Sequence, residues 1–357
     1  MKKTVLLLGN MEASKRVFEL LKKELERVGF EITSYLSAGR LENEVFGTLG
    51  EALPHWIEEH SVLIAGMSSD EELSRCELIA IKSALEKNIP VFLYADTYNS
   101  WNRKWYHPFM EKVTGIFVLN EQEVQKGKRV FPKANFIATG NPLQEDYFFP
   151  KMTREEVRDH FGINEKSYVV LALGGKDPAI NIIHFGATLE ACYNIPSLKE
   201  KNITLLLGIH PGDQTPMDVY KSIWKFGGNE NIQIIPVQKK EIPTSDLLPG
   251  CDLVVSLACS IGDEACCLRI PVIDFFPIIT SARLEEAIGT SDWPPCSLGI
   301  TTLAQDSSEL HNLIVFASIG AKGFHDPMRR KQEEVFPKPL EKGSAVKKMV
   351  DAVKRMF

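Results

Sequence analysis

Short apolar bursts recur along this chain with helical patterns between them, and they do so in two successive series. In the first series the bursts are Thr4–Gly9, Glu31–Leu36, 61–66, 90–95 and 115–119, with a short one at 135–138. Continuous Val, Ile and Leu runs of this length suit parallel strands covered on both faces. Between the first two bursts, Val17, Leu20, Leu21, Leu25 and Val28 fall on one face at helical spacing. Strand–helix alternation implies right-handed crossovers and a doubly wound sheet.

The series restarts after Gly140, Asn141 and Pro142. An irregular stretch ends at Thr153, a helix cap with Glu156 three residues later. New bursts follow at Tyr168–Leu173, Ile203–Ile209, 232–235, Leu253–Ser256 and Val272–Phe275. A chain of 357 residues suits two domains. The expected division is a first α/β domain over 1–142, a linker over 143–152 and a second over 153–340. A helix over 341–357 carries an apolar stripe of Val346, Met349, Val350 and Val353 and is expected to return to the first domain. The segment 327–335 also reads as helical, and Pro337 and Pro339 separate it from the tail.

Charge and cysteine usage narrow the function classes. A net charge of −6 with scattered basic residues argues against a nucleic-acid or anionic-membrane partner. The first apolar run stops at Gly9, too short for a signal core, and no stretch is long enough to span a bilayer. The seven cysteines contain no C-x-x-C pair and read as reduced core thiols of a cytoplasmic protein, including Cys259, Cys266 and Cys267 near a proposed site. The eight histidines show no metal-ligand spacing, so no metal site is expected.

In an open parallel sheet, ligands bind beyond the carboxyl ends of strands, at helix N-termini. Four loops there carry chemistry. After the 253–256 burst a helix opens near Ser260, so the backbone N–H groups of Ser260, Ile261 and Gly262 would point at an anion, with Glu264 one turn on able to accept from sugar hydroxyls. Capping and dipole complementation alone would explain the same residues. After 168–173, Gly174 and Gly175 permit close backbone approach and Lys176 offers a point charge to a phosphate. After 203–209, His210 before Pro211 ends a strand and suits proton transfer or phosphate contact. After 90–95, Asp96 is a candidate base or a helix cap, and the nearby Trp101 and Trp105 either stack on a sugar or fill the loop. Gly9 and Asn10 close the first strand without a full dinucleotide fingerprint, which argues against NAD or FAD.

These residues resemble the GT-B superfamily of sugar-nucleotide glycosyltransferases and non-hydrolysing UDP-N-acetylglucosamine 2-epimerases. The run from Ile137 to Pro142 is similar to the turn that closes the first domain in that group, and Val118 to Glu123 to the segment before it. Ser260 to Ala265 resembles the epimerase stretch whose backbone holds the diphosphate and whose glutamate, matched by Glu264, binds ribose. Departures are present: Ala258, Cys259 and Ser260 stand where the epimerases have Ser-Gly-Gly. The His-Val-Glu-Ala-Gly motif is absent, with Ala95, Asp96 and Thr97 near its place. Only Asp96, Glu121 and His210 occupy positions comparable to the epimerase acid groups. The resemblance implies two Rossmann-like domains facing a cleft, with the C-terminal helix crossing back. It further implies a glycosyltransferase taking a nucleotide-sugar donor, expected to be UDP-linked, and an unspecified acceptor, with no separate cofactor. In that scheme Asp96 is the base and His210 assists, while Gly9, Asn10, Gly174, Gly175, Lys176, Ser260, Ile261, Gly262 and Glu264 line the substrate site. An epimerase-like isomerase and a catalytically silent sugar-nucleotide or glycan-binding protein are the alternatives.

Overall fold

Six parallel strands form each of two sheets. The computed structural model describes residues 3–37, 56–175, 177–193, 202–210, 213–216, 218–220, 222, 232–238, 242–257, 260–277 and 293–357. The chain divides into two compact units, one of Met1–Glu145 with Pro339–Phe357 and one of Asp146–Lys338.

Unit 1 carries strands β1 (Thr4–Gly9), β2 (Glu31–Leu36), β3 (Val62–Gly66), β4 (Val91–Tyr94), β5 (Gly115–Val118) and β6 (Phe136–Ala138), in the order β2-β1-β3-β4-β5-β6. Successive strand residues supply opposite faces. Leu6, Leu8, Leu63, Ala65 and Leu93 belong to one core layer, whereas Val5, Leu7, Val62, Ile64 and Phe92 belong to the other. A strand buried on both sides must be apolar throughout, which explains the unbroken bursts. Helix α1 (Glu12–Arg27) buries Val17, Phe18, Leu21 and Leu25. Leu20, expected on that face, is 40% exposed, and Phe18 takes the core position instead. Helices α2 (Arg75–Glu86) and α3 (Glu121–Val130) follow β3 and β5.

Unit 2 opens on α4 (Arg154–His160), where Thr153 and Glu156 form the expected capping box. Its strands are β7 (Tyr168–Leu173), β8 (Ile203–Ile209), β9 (Ile232–Gln238), β10 (Leu253–Ser256), β11 (Val272–Phe275) and β12 (Thr302–Ala304), in the order β12-β11-β10-β7-β8-β9. Strand β9 runs three residues past the expected end. Strand β12 has no counterpart among the apolar bursts, because an edge strand of three residues containing Thr302 carries no apolar run. Its longer helices after α4 are α5 (Pro178–Tyr193), α6 (Ser260–Cys267), α7 (Ser307–Ser318) and α8 (Lys322–Val335). Helix α8 begins five residues before the expected start and contains Pro327.

The last helix, α9 (Ser344–Lys354), belongs to unit 1, where Val346, Met349, Val350 and Val353 join the α1 core layer. Glu145 caps it from far away in sequence, accepting the N–H of Gly343 at 2.6 Å and of Ala345 at 2.7 Å. A carboxylate there complements the positive helix end. Among the described residues, no helix is long and apolar enough to cross a membrane.

One buried group gives unit 2 a measurable acid sensitivity. His184 of α5 is fully buried, its ring 6.0 Å from that of Phe275 and 5.5 Å from that of Phe185. Burial pushes its pKa down to about 3, against a small opposing pull from the Val255 backbone. The unfolded chain binds this proton near 6.5 and the folded chain does not, so stability is full above pH 6.5 and falls as pH drops toward 3. The loss from this residue is expected to reach about 2–3 kcal/mol by pH 4.5. Denaturant melts of wild type and His184→Leu at pH 7 and 4.5 check it: the wild type should lose that much more on acidification than the variant.

Candidate functional site

In an open α/β sheet the crevice for a ligand opens where neighbouring strands send their chains in opposite directions. The strand orders locate that point in each unit separately: between β1 and β3 in unit 1, and between β7 and β10 in unit 2.

In unit 1 the loops after β1 and β3 are joined through one buried carboxylate. That carboxylate, Glu77 of α2, is fully buried. It accepts the Asn10 N–H at 3.3 Å, the Ser68 N–H at 2.9 Å and the Ser68 hydroxyl at 3.0 Å, and the Tyr106 hydroxyl donates to it as well. Burial raises the Glu77 pKa while the Tyr106, Ser68 and Asn10 donors pull it back. Asn10 itself is buried, its side-chain amide donating to the Leu73 carbonyl at 3.0 Å. A Cβ on Gly9 would lie 2.8 Å from the Ser14 hydroxyl oxygen, so this residue lets α1 pack close. The two positions expected to face substrate thus anchor the β1 loop internally.

Asp96, just past β4, lies at the rim of the same strand ends. Its Oδ1 has no hydrogen-bond partner, and the Arg103 Nη2 stands 3.7 Å away. Arg103 also donates to the Met67 carbonyl, so it ties the loops after β3 and β4 together. Burial raises the Asp96 pKa, and the Arg103 charge together with the Asp96 and Thr97 backbone N–H groups opposes that rise. A carboxylate held this way is a stronger base than a solvated one. Trp101 is no sugar platform: it is 2% exposed and its indole N–H donates to Glu123 at 2.8 Å. Glu121, the first residue of α3, is exposed to solvent.

At the unit 2 switch point, the loop after β7 faces the start of α6. The N–H of Gly174 donates to the Gly208 carbonyl at 3.0 Å and that of Gly175 to Asn181 Oδ1 at 2.7 Å. Both donors are taken up within the protein, so what this turn can offer a ligand is the close backbone approach that its glycines allow. Its glycines have another role: a Cβ on Gly174 would lie 2.8 Å from Asn181 Oδ1, while the space around the Gly175 Cα is open. Helix α6 follows β10, and its first-turn N–H groups have no partner within the helix. Gly262 lets that turn pack on the strand, since a Cβ there would come 3.3 Å from Ser256 Oγ. Glu264 is half-buried one turn along, and His210 sits half-buried at the end of β8. Lys176, Pro211 and Cys259 lie outside the described residues, and for Ser260 and Ile261 only the helical backbone is described.

The sequence matches no family model and no curated protein. Solved structures match along nearly all of the chain. A Listeria monocytogenes protein assigned as a UDP-N-acetylglucosamine 2-epimerase superposes with a TM-score of 0.65 at 16% identity, covering 99% of this chain and 96% of its own. The Neisseria meningitidis UDP-GlcNAc 2-epimerase bound to UDP-GlcNAc gives 0.60 at 14% identity, covering 99% and 100%. A UDP-forming trehalose-phosphate synthase from Burkholderia xenovorans gives 0.53 at 7% identity, covering 100% and 99%. The chain has the GT-B fold.

Several groups near the α6 start of this GT-B chain carry little local sequence signal. Asp263, in the first turn of α6, and Asp274 of β11 are both buried, each with an Oδ1 lacking a hydrogen-bond partner. Burial pushes Asp274 up to about 6, against hydrogen bonds from Thr301, Trp293, Cys296 and Ser256. Asp263 is raised further by burial and then by the Asp274 and Glu264 charges. An acidic residue inside the apolar β11 run was the one available signal. Cys266 and Cys267 are buried free thiols whose pKa values burial pushes well up, so neither presents a thiolate. Among the described residues no cluster of His, Cys, Asp and Glu could hold a metal ion.

Proposed function

We propose that this chain is an enzyme acting on a nucleoside-diphosphate sugar, and that unit 2 holds the diphosphate at the start of α6. The observation carrying this reading is the β7–β10 switch point, where a helix N-terminus follows a strand at the place an α/β sheet receives a ligand. Backbone N–H groups of Ser260, Ile261 and Gly262 would take the phosphates, with Lys176 as a nearby charge. Glu264 would accept hydrogen bonds from the ribose hydroxyls, and His210 would contact the phosphate or sugar. The open side of Gly175 suits close approach of a ligand rather than donation to it.

The reaction we favour is glycosyl transfer with Asp96 as the base that deprotonates an acceptor hydroxyl. Charge on the leaving diphosphate would be met by the helix end and by lysine. The second reading is 2-epimerisation of the sugar nucleotide, favoured by the epimerases among the solved structures of the same fold. Incubation with UDP-GlcNAc and candidate acceptors separates them. Transfer releases UDP only when acceptor is present, whereas epimerisation yields an isomeric sugar nucleotide without one.

Glu264→Ala tests the ribose contact. It is expected to weaken UDP binding by about 1.5–3 kcal/mol, the range for a charge-assisted hydrogen bond. Calorimetry on the folded variant checks it, and unchanged affinity would return Glu264 to a helix residue without ligand.

A further inference from the structure

Asn181, in the first turn of α5, spends its whole side-chain amide on one task. Its Oδ1 accepts the Gly175 N–H at 2.7 Å, and its Nδ2 donates to the Gly175 carbonyl at 2.9 Å and to Asp213 Oδ2 at 2.7 Å. The residue is fully buried, so these three bonds meet its donor and acceptor needs without water. Asp213 lies in the turn after β8, and its own N–H closes that turn by donating to the His210 carbonyl at 2.8 Å. The Thr215 N–H donates to Asp213 Oδ1 at 2.9 Å, and the buried Tyr220 hydroxyl donates to Oδ2. Burial tends to raise the Asp213 pKa, but the bonds from Thr215, Tyr220 and Asn181 outweigh it and hold the pKa below the usual carboxylate value.

Two candidate ligand loops from neighbouring strands are therefore joined through one amide–carboxylate contact. We propose that Asn181 and Asp213 are positioning residues, which set the Gly174–Gly175 turn and His210 as one preformed face toward the nucleoside diphosphate; this rests on the function proposed above. Neither residue touches the ligand. A turn built of two glycines has the widest choice of backbone conformations, and a packed amide that bonds both the N–H and C=O of Gly175 removes that choice. Fixing the turn in advance lowers the ordering cost of binding, so the contact acts on affinity although it lies outside the contact set.

A polarity swap tests the pair. Asn181→Asp places a carboxylate against Asp213 and should weaken UDP binding by about 10–30-fold at pH 8. The double variant Asn181→Asp with Asp213→Asn restores an amide facing a carboxylate but leaves the Gly175 carbonyl without its donor, so it should recover affinity in part, to about 3–10-fold below wild type. In the single variant, affinity should also return toward wild type near pH 5, where one of the two facing carboxyls takes a proton and can donate. Unchanged affinity in the single variant, or no recovery in the double variant, overturns the proposal. A gentler variant, Tyr220→Phe, removes only a hydroxyl that donates to Asp213 and gives a readout that does not need nucleotide. Amide exchange should quicken together in peptides spanning Gly174–Gly175 and His210–Asp213; a change confined to one of them overturns the coupling. If the wild-type protein does not bind UDP, the nucleotide reading fails, and the exchange result still decides whether the two turns act as one.

Discussion

Replacing Glu77 with alanine is expected to destabilise the protein by about 3–5 kcal/mol, because four donors lose their acceptor in a site closed to water. Those donors come from three separate places in unit 1: the β1 loop through Asn10, the β3 loop through Ser68, and the Tyr106 hydroxyl. Glutamine is no remedy. Its amide nitrogen would face N–H or O–H donors on whichever side it took, so Glu77→Gln should also be destabilising, though it preserves volume. The pH dependence has a definite sign. Burial raises the folded pKa of Glu77 above its unfolded value, so its contribution is fullest below the unfolded pKa and declines as pH rises through the folded one. The penalty of Glu77→Ala is therefore expected to be larger at pH 5 than at pH 8. Denaturant melts at the two pH values measure it, and a penalty under 1 kcal/mol would mean that the hub does not hold the loops.

Asp96→Asn is expected to lower kcat by about 10²–10⁴-fold, the usual contribution of a positioned base. The substitution keeps the shape of the side chain and removes its capacity to take a proton. Affinity for UDP should stay within about 2-fold of wild type, because the proposed base makes no contact with the nucleotide in this scheme. The acid limb of the wild-type rate profile should lie above the ordinary carboxylate range, since burial raises the Asp96 pKa more than the Arg103 charge lowers it. Steady-state rates across pH, with UDP affinity measured in parallel, check both statements. A variant that keeps wild-type turnover would remove Asp96 from the mechanism.

How much of this was legible in sequence follows from the physics of each feature. The strands stood out because a sheet covered on both faces demands apolar residues at every position, as in Val5 to Leu8 and Val169 to Leu173. The start of α4 was legible because a capping box is local, with Thr153 and Glu156 meeting only each other's backbone. Glu77 was not, since in one dimension it looks like Glu71 or Glu72, and only the fold brings Ser68, Tyr106 and Asn10 to it. Asn181 was hidden for the same reason: Asp213 is 32 residues away and the contact needs β7 beside β8. The glycine pair at 174 and 175 stands out in the sequence, but the close packing of Gly174 against Asn181 shows only in the fold. The candidate site was thus visible as a set of loops, while the residues that hold those loops were visible only in three dimensions.

The central claim, that unit 2 receives the nucleoside diphosphate at the β7–β10 switch point, is tested most directly by amide exchange with and without saturating UDP. Bound ligand should slow exchange in peptides spanning Gly174–Gly175 and Ser260–Glu264, and leave those containing Asn10 and Ser68 unchanged. Saturable UDP binding with protection at Asn10 and Ser68, and none from Ser260 to Glu264, would contradict it.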